Sequence, residues 1–129
     1  MKNVYDSFTK DEELSYRLFL KTIFEKLGFR KNVMGTKYLI ELILFTYEQD
    51  YFTIFLNRIC ADYLRYKNIH SISQKQFLDN ITYAIKNVDI YKFKNNFYEV
   101  FHTEYTVYYL SPKNILILCL SAMEDLKSR

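Results

Sequence analysis

A chain with almost no glycine or proline has few ways to turn back on itself. This one has 129 residues and only two glycines and one proline. All-β folds need turn residues at regular spacing. Flexible linkers and disordered segments draw on the same residues. The chain is therefore expected to be helical, with short links. Half of its residues are hydrophobic, ample for one core in a chain of ordinary domain length. With no internal repeat, low-complexity tract or composition shift to divide it, residues 1–129 are expected to form one domain.

The helices announce themselves at their ends. Thr9 followed by Glu12 is a capping box, in which each side chain satisfies a backbone N–H near the other. It opens a first helix with the stripe Tyr16, Leu20, Ile23, Phe24 and Leu27, and Gly28 stops it. The link from Phe29 to Met34 is basic and expected to be exposed. A second helix, from about Gly35-Thr36 to Tyr47, is apolar nearly all round and belongs in the centre. A third occupies about Thr53 to Tyr66, with Leu56, Ile59, Cys60, Tyr63 and Leu64 inward. The fourth lies in Ser71–Val88 and is the best specified. Ser73 is its N-cap, Gln76 completes a capping box, and Ile72 with Phe77 forms a hydrophobic staple. Phe77, Ile81, Ala84, Ile85 and Val88 make its stripe. A fifth helix runs from about Tyr91 to Phe101. Glu104 to Leu110 is rich in strand formers and reads as an extended connector or a small strand. Ser111-Pro112, a cap followed by proline at the first helical position, opens a last helix with Ile115, Leu118, Cys119, Ala122 and Leu126 on one side. The expected class is all-α, with about six helices containing a helix-turn-helix.

Composition also narrows function. The net charge of +3 is weakly basic. Between residues 14 and 37, Arg17, Lys21, Lys26, Arg30, Lys31 and Lys37 face only Glu25. That run fits a clustered positive surface or ordinary solvated helix faces. Cys60 and Cys119 are unpaired in spacing and fall on apolar stripes. They read as buried thiols in a reducing, cytoplasmic setting. The start Met-Lys-Asn-Val-Tyr-Asp6 has no apolar signal-peptide core. The most apolar run, Tyr38 to Tyr47, is too short for a bilayer and contains Glu41, so no membrane partner is expected. His70 and His102 are isolated, and no nucleophile, phosphate-loop or metal-ligand spacing occurs. No catalytic residue, metal ligand or cofactor is nominated.

The third and fourth helices, joined through a polar link around Lys67-Asn68, match the helix-turn-helix pattern, whose second helix meets base edges with its first turn. Double-stranded DNA is then the expected partner. The candidate base-reading residues are Lys75, Gln76, Asp79, Thr82 and Tyr83. Gln suits adenine N6 and N7, Lys suits guanine O6 and N7, and Asp accepts from cytosine N4. Arg65, Lys67, Lys86 and Lys113 are candidates for phosphate contacts, which position without specifying.

A family resemblance points the same way. Phe24-Glu-Lys-Leu-Gly-Phe-Arg-Lys-Asn-Val-Met-Gly-Thr-Lys-Tyr-Leu39 resembles the start of the C-terminal effector domain of the sporulation-initiation response regulators, the stage zero sporulation protein A family. The shared pattern is a glycine ending an apolar helix, a short link, a second glycine, and a Tyr-Leu pair entering a long helix. Here these are Gly28, Gly35, Tyr38 and Leu39. Ile81-Thr-Tyr-Ala-Ile85 is similar to the middle of that family's recognition helix. Tyr105-Thr-Val107 with Pro112 and Asn114 is similar to its connector and the opening of its last helix. The resemblance spans roughly residues 15 to 127, which leaves no room for the family's receiver domain. It implies an all-α domain of six helices, sequence-specific DNA binding, and transcriptional control of sporulation. Where the family's recognition helix is rich in arginine near its start, this chain has Gln76, Leu78 and Asp79. The alternative is an interaction module. Such a domain would keep the scaffold and bind a protein, or form homodimers or mixed dimers with a related regulator, through aromatics such as Tyr51, Tyr91, Tyr98, Tyr108 and Tyr109.

Overall fold

Four helices begin at a side-chain cap, at Thr9, Ser73, Asp89 and Ser111, and four end at a residue with left-handed backbone geometry, Gly28, Asp50, Asn68 or His102. The computed structural model describes residues 8–128. Among these, six α-helices follow in order: α1 (Lys10–Lys26), α2 (Met34–Gln49), α3 (Leu56–Tyr66), α4 (Gln74–Lys86), α5 (Ile90–Phe101) and α6 (Pro112–Lys127). Both capping boxes form. The Thr9 hydroxyl accepts from the Glu12 N–H at 3.1 Å, and the Glu12 carboxylate accepts from the Thr9 N–H at 3.1 Å. The Ser73 hydroxyl and Gln76 amide do the same at 3.1 and 2.9 Å. Asp89 caps α5 and Ser111 caps α6.

Helices α1 and α3 end in the same motif. Gly28 and Asn68 have φ of 82° and 56°. The N–H of the following residue, Phe29 or Ile69, returns to the carbonyl of Phe24 or Leu64 at 2.9 Å. This is the Schellman arrangement, which satisfies carbonyls that the helix end leaves open. Its usual apolar contact is present after α1, where the Phe29 ring stacks on Phe24 with centroids 4.4 Å apart.

Helix α2 is central. Leu39, Leu42 and Ile43 have no exposed surface, and α2 touches α1, α3, α4 and α6, most extensively α4. Gly35 permits that closeness. A Cβ there would stand 1.8 Å from the Asn80 carbonyl oxygen and 3.0 Å from the Ala84 Cβ. Glycine costs about 1 kcal/mol inside a helix, and here it lets two backbones meet. A second cluster joins α5 to the connector that follows it. Phe93 and Phe97 are fully buried, Tyr105 packs edge-on to both, and Tyr109 stacks on Phe97 at 5.1 Å.

Four expectations change. The link after α1 is not simply exposed: Phe29 is buried by its Schellman contact, and Met34 already belongs to α2, which continues to Gln49. Helix α3 starts at Leu56 rather than Thr53. The connector forms no strand, and it is extended only at its start, at Thr106. Val107–Tyr109 forms one turn of 3-10 helix, held by the rings of Tyr105 and Tyr109 on Phe97. On α6, Leu116 and Met123 are fully buried, whereas Leu118 and Leu126 are only half-buried. The opening segment read for a signal peptide, Met1 to Asp6, lies outside the described residues. Among the described residues no helix is long and apolar enough to cross a membrane.

Candidate nucleic-acid interface

The inner face of α4 is fixed against α2 and α3. Phe77, Ile81, Ala84 and Ile85 are buried. Phe77 stacks on Tyr63 of α3 at 5.3 Å and lies 4.8 Å from the Tyr38 ring of α2. The Gln74 amide donates to the Asn57 carbonyl at 2.7 Å, so the first residue of α4 is tied to the first turn of α3. The link between the two helices, residues 67–73, combines the Schellman turn at Asn68 with the approach to the Ser73 cap. It is longer than the three or four residues of the tightest helix-turn-helix.

The outer face is open. Lys75, Asp79, Tyr83 and Lys86 follow at spacings of four, four and three residues. They form one exposed stripe along the whole helix. Gln76 is exposed at its edge. Three of these side chains already have work. The Lys75 ammonium donates to the Asp79 carboxylate at 2.7 Å, and this hydrogen bond holds the ammonium above the ordinary lysine range. An exposed ion pair of this type is weak and exchangeable. The Gln76 amide oxygen accepts the Ser73 N–H, leaving its NH2 as a donor. Thr82 is half-buried and its hydroxyl donates to the Leu78 carbonyl at 3.0 Å, so it is the least available of the five base-reading candidates.

The proposed phosphate contacts are spread over three helices. Arg65, near the end of α3, pairs with Asp62 at 2.6 Å, and Asp62 also accepts from the Tyr51 hydroxyl. The Lys67 ammonium lies 5.6 Å from the centre of the Tyr66 ring. Lys86 is exposed in the last turn of α4, and Lys113 is exposed in the first turn of α6. The basic run between residues 14 and 37 is largely compensated. Arg17 binds Glu13 and Glu41, Lys26 binds Glu99, Lys31 lies 3.7 Å from Glu25, and Arg30 donates to the Asn87 carbonyl.

Two residues that position this face carried no assignment to it from the sequence. Gln74 was passed over because its partner is a backbone carbonyl on another helix. Gly35 entered only as part of a glycine pattern at the start of α2; the signal that points to it is a glycine in the first turn of a strongly apolar helix, where the missing Cβ lets another backbone come close. Compared with family models, curated proteins and solved structures, the chain gives no match.

Proposed function

We propose that this is a sporulation-regulator-like DNA-binding protein of the cytoplasm, a transcriptional regulator in which α3, the link and α4 act as a helix-turn-helix. The observation that carries this is the asymmetry of α4. Its inner face is locked to α2 and α3, while its outer stripe is uncovered from the first turn to the last. A helix held that way can enter a major groove without unfolding anything. Lys75 exchanges Asp79 for guanine O6 and N7 or for a phosphate. The Gln76 NH2 donates to a base edge, Asp79 accepts from cytosine N4, and Tyr83 meets a thymine methyl. The first-turn N–H groups of α4 that the Ser73 cap does not take favour a phosphate. Arg65, Lys67, Lys86 and Lys113 add backbone contacts that set register.

Gel-shift titration tests this. The protein is expected to retard A·T-rich promoter duplexes at low salt, with affinity falling steeply as salt rises. Lys75→Ala is expected to weaken binding more than Lys127→Ala, which alters the far end of α6. No shift with any A·T-rich promoter pool at low ionic strength would overturn the proposal. Equal effects of the two alanines would move the reading surface away from α4.

One observation favours a second reading. The Lys75–Asp79 pair leaves the first turn of α4 nearly neutral, and Tyr83, Tyr91, Tyr98 and Tyr108 are exposed. Exposed tyrosines and a nearly neutral helix start suit a protein partner, including a second copy of the chain or a related regulator in a mixed dimer. Affinity capture that recovers a protein, together with chromatin precipitation that enriches no DNA, would select this reading.

A further inference from the structure

The structure carries a cleft that neither reading uses. It lies between α1 and the first turns of α2 and has a volume of about 540 Å³, within the range of small-molecule sites. We propose that it binds a small amphipathic anion: a carboxylate or sulfonate carried on an apolar body. The wall is largely apolar. Leu18, Phe24, Phe29 and Ile40 line the cleft, and the stacked Phe24 and Phe29 rings are fixed by the end of α1. That surface takes a hydrocarbon chain or a fused ring.

The charge of the ligand follows from which groups are already matched. Both carboxylates that line the cleft are engaged, Glu41 by Arg17 and Glu25 by Lys31. Lys21 and Lys37 line it too, and neither has a carboxylate partner among the described residues. A cation would find no open acceptor of opposite charge there, whereas an anion finds two ammonium groups. Thr36 adds a third observation. It lines the cleft, is 6% exposed, and its buried hydroxyl has no hydrogen-bond partner. Buried polar groups in native proteins are normally satisfied, so this hydroxyl in the cleft wall is a polar group left for a ligand that reaches it to satisfy. The first turn of α2 holds no acidic residue and its N-cap, Val33, offers no side-chain acceptor. Nothing there repels the anion.

The test uses the full chain and two dyes with the same aromatic body. 1-Anilinonaphthalene-8-sulfonate carries the anion; N-phenyl-1-naphthylamine lacks it. The sulfonate is expected to bind with one-to-one stoichiometry and to be displaced by decanoate but not by decanol at the same concentration. The surface double variant Lys21→Gln/Lys37→Gln is expected to weaken the sulfonate roughly tenfold or more, to change the neutral dye less than about twofold, and to leave the circular dichroism spectrum unaltered. Leu18→Glu, at an exposed position on the rim, is expected to weaken the sulfonate as well. Equal binding of the two dyes, or sulfonate affinity unmoved by the lysine variants, would overturn the proposal. So would displacement by decanol as effective as by decanoate. None of these results bears on whether α4 reads DNA.

Discussion

Gly35→Ala sets two magnitudes against each other and so probes the α2–α4 contact directly. Helix propensity alone says the variant is stabilised, by at most the roughly 1 kcal/mol of a helix interior since Gly35 is the second residue of α2, because alanine loses less backbone freedom in a helix than glycine. Packing says the opposite. The new Cβ would lie 1.8 Å from the Asn80 carbonyl oxygen and 2.5 Å from the carbonyl carbon, where ordinary contact begins near 3.4 Å. These are backbone atoms in the middle of α4, so no side-chain rotation relieves the overlap. The two helices must part by more than an ångström, along the contact that buries Phe77, Ile81, Ala84 and Ile85. Overpacking of a filled core costs about 1–3 kcal/mol and occasionally more, and a backbone obstacle belongs at the upper end. The net result is a loss of about 2 kcal/mol or more, equivalent to a drop in Tm of roughly 6–10 °C for a domain of this size. Urea denaturation followed by circular dichroism measures it. A variant as stable as the parent, or more so, would refute the close approach of α2 and α4. The second-site change Ala84→Gly removes only the side-chain contact at 3.0 Å and is expected not to restore stability. Full rescue would mean that the obstacle is the Ala84 methyl and not the Asn80 backbone.

Three further outcomes are expected. Ser73→Ala removes the acceptor for the Gln76 N–H and should cost about 1 kcal/mol, while Ser73→Asp should retain most of the stability; no loss for Ser73→Ala in thermal melts would show that the cap contributes nothing. Phe97→Ala empties the centre of the ring cluster with Phe93, Tyr105 and Tyr109. It should cost about 3–5 kcal/mol and speed proteolysis of the 103–110 connector; a loss well under about 1 kcal/mol would show that these rings do not hold the connector. Burial pushes the Cys60 thiol up to about 11 and the Cys119 thiol further still. Neither is expected to react with a chromogenic disulfide reagent near pH 8 until denaturant is added, because the thiolate is the nucleophile. The stability consequence has a definite sign: the folded thiols keep protons that unfolded ones lose above about pH 8.5, so stability is full below that pH and falls as pH rises. Rapid labelling of the native protein would contradict the burial of both residues.

What the sequence determined by itself is local. The caps at Thr9, Ser73 and Ser111, the stop at Gly28 and the stripe from Phe77 to Val88 each depend on residues a turn or two apart, and all of them form. The all-α class follows from those signals and from the shortage of turn residues. The Lys75–Asp79 pair is legible too, since residues four apart on a helix are neighbours. Tertiary structure decided the rest. It turned the strand-forming connector into a 3-10 turn by docking Tyr105 and Tyr109 on Phe97, and it buried Phe29 on Phe24. It set Gln74 against Asn57 and the Gly35 backbone against Asn80. It also left Thr36 unpaired beside a cleft in which Lys21 and Lys37 keep their charge. The reason is common to these cases. Capping and amphipathic spacing are properties of a segment a few residues long. Which side of α4 stays open, and what it can still offer a partner, depends on contacts between residues tens of positions apart, which exist only once α2 has brought the helices together.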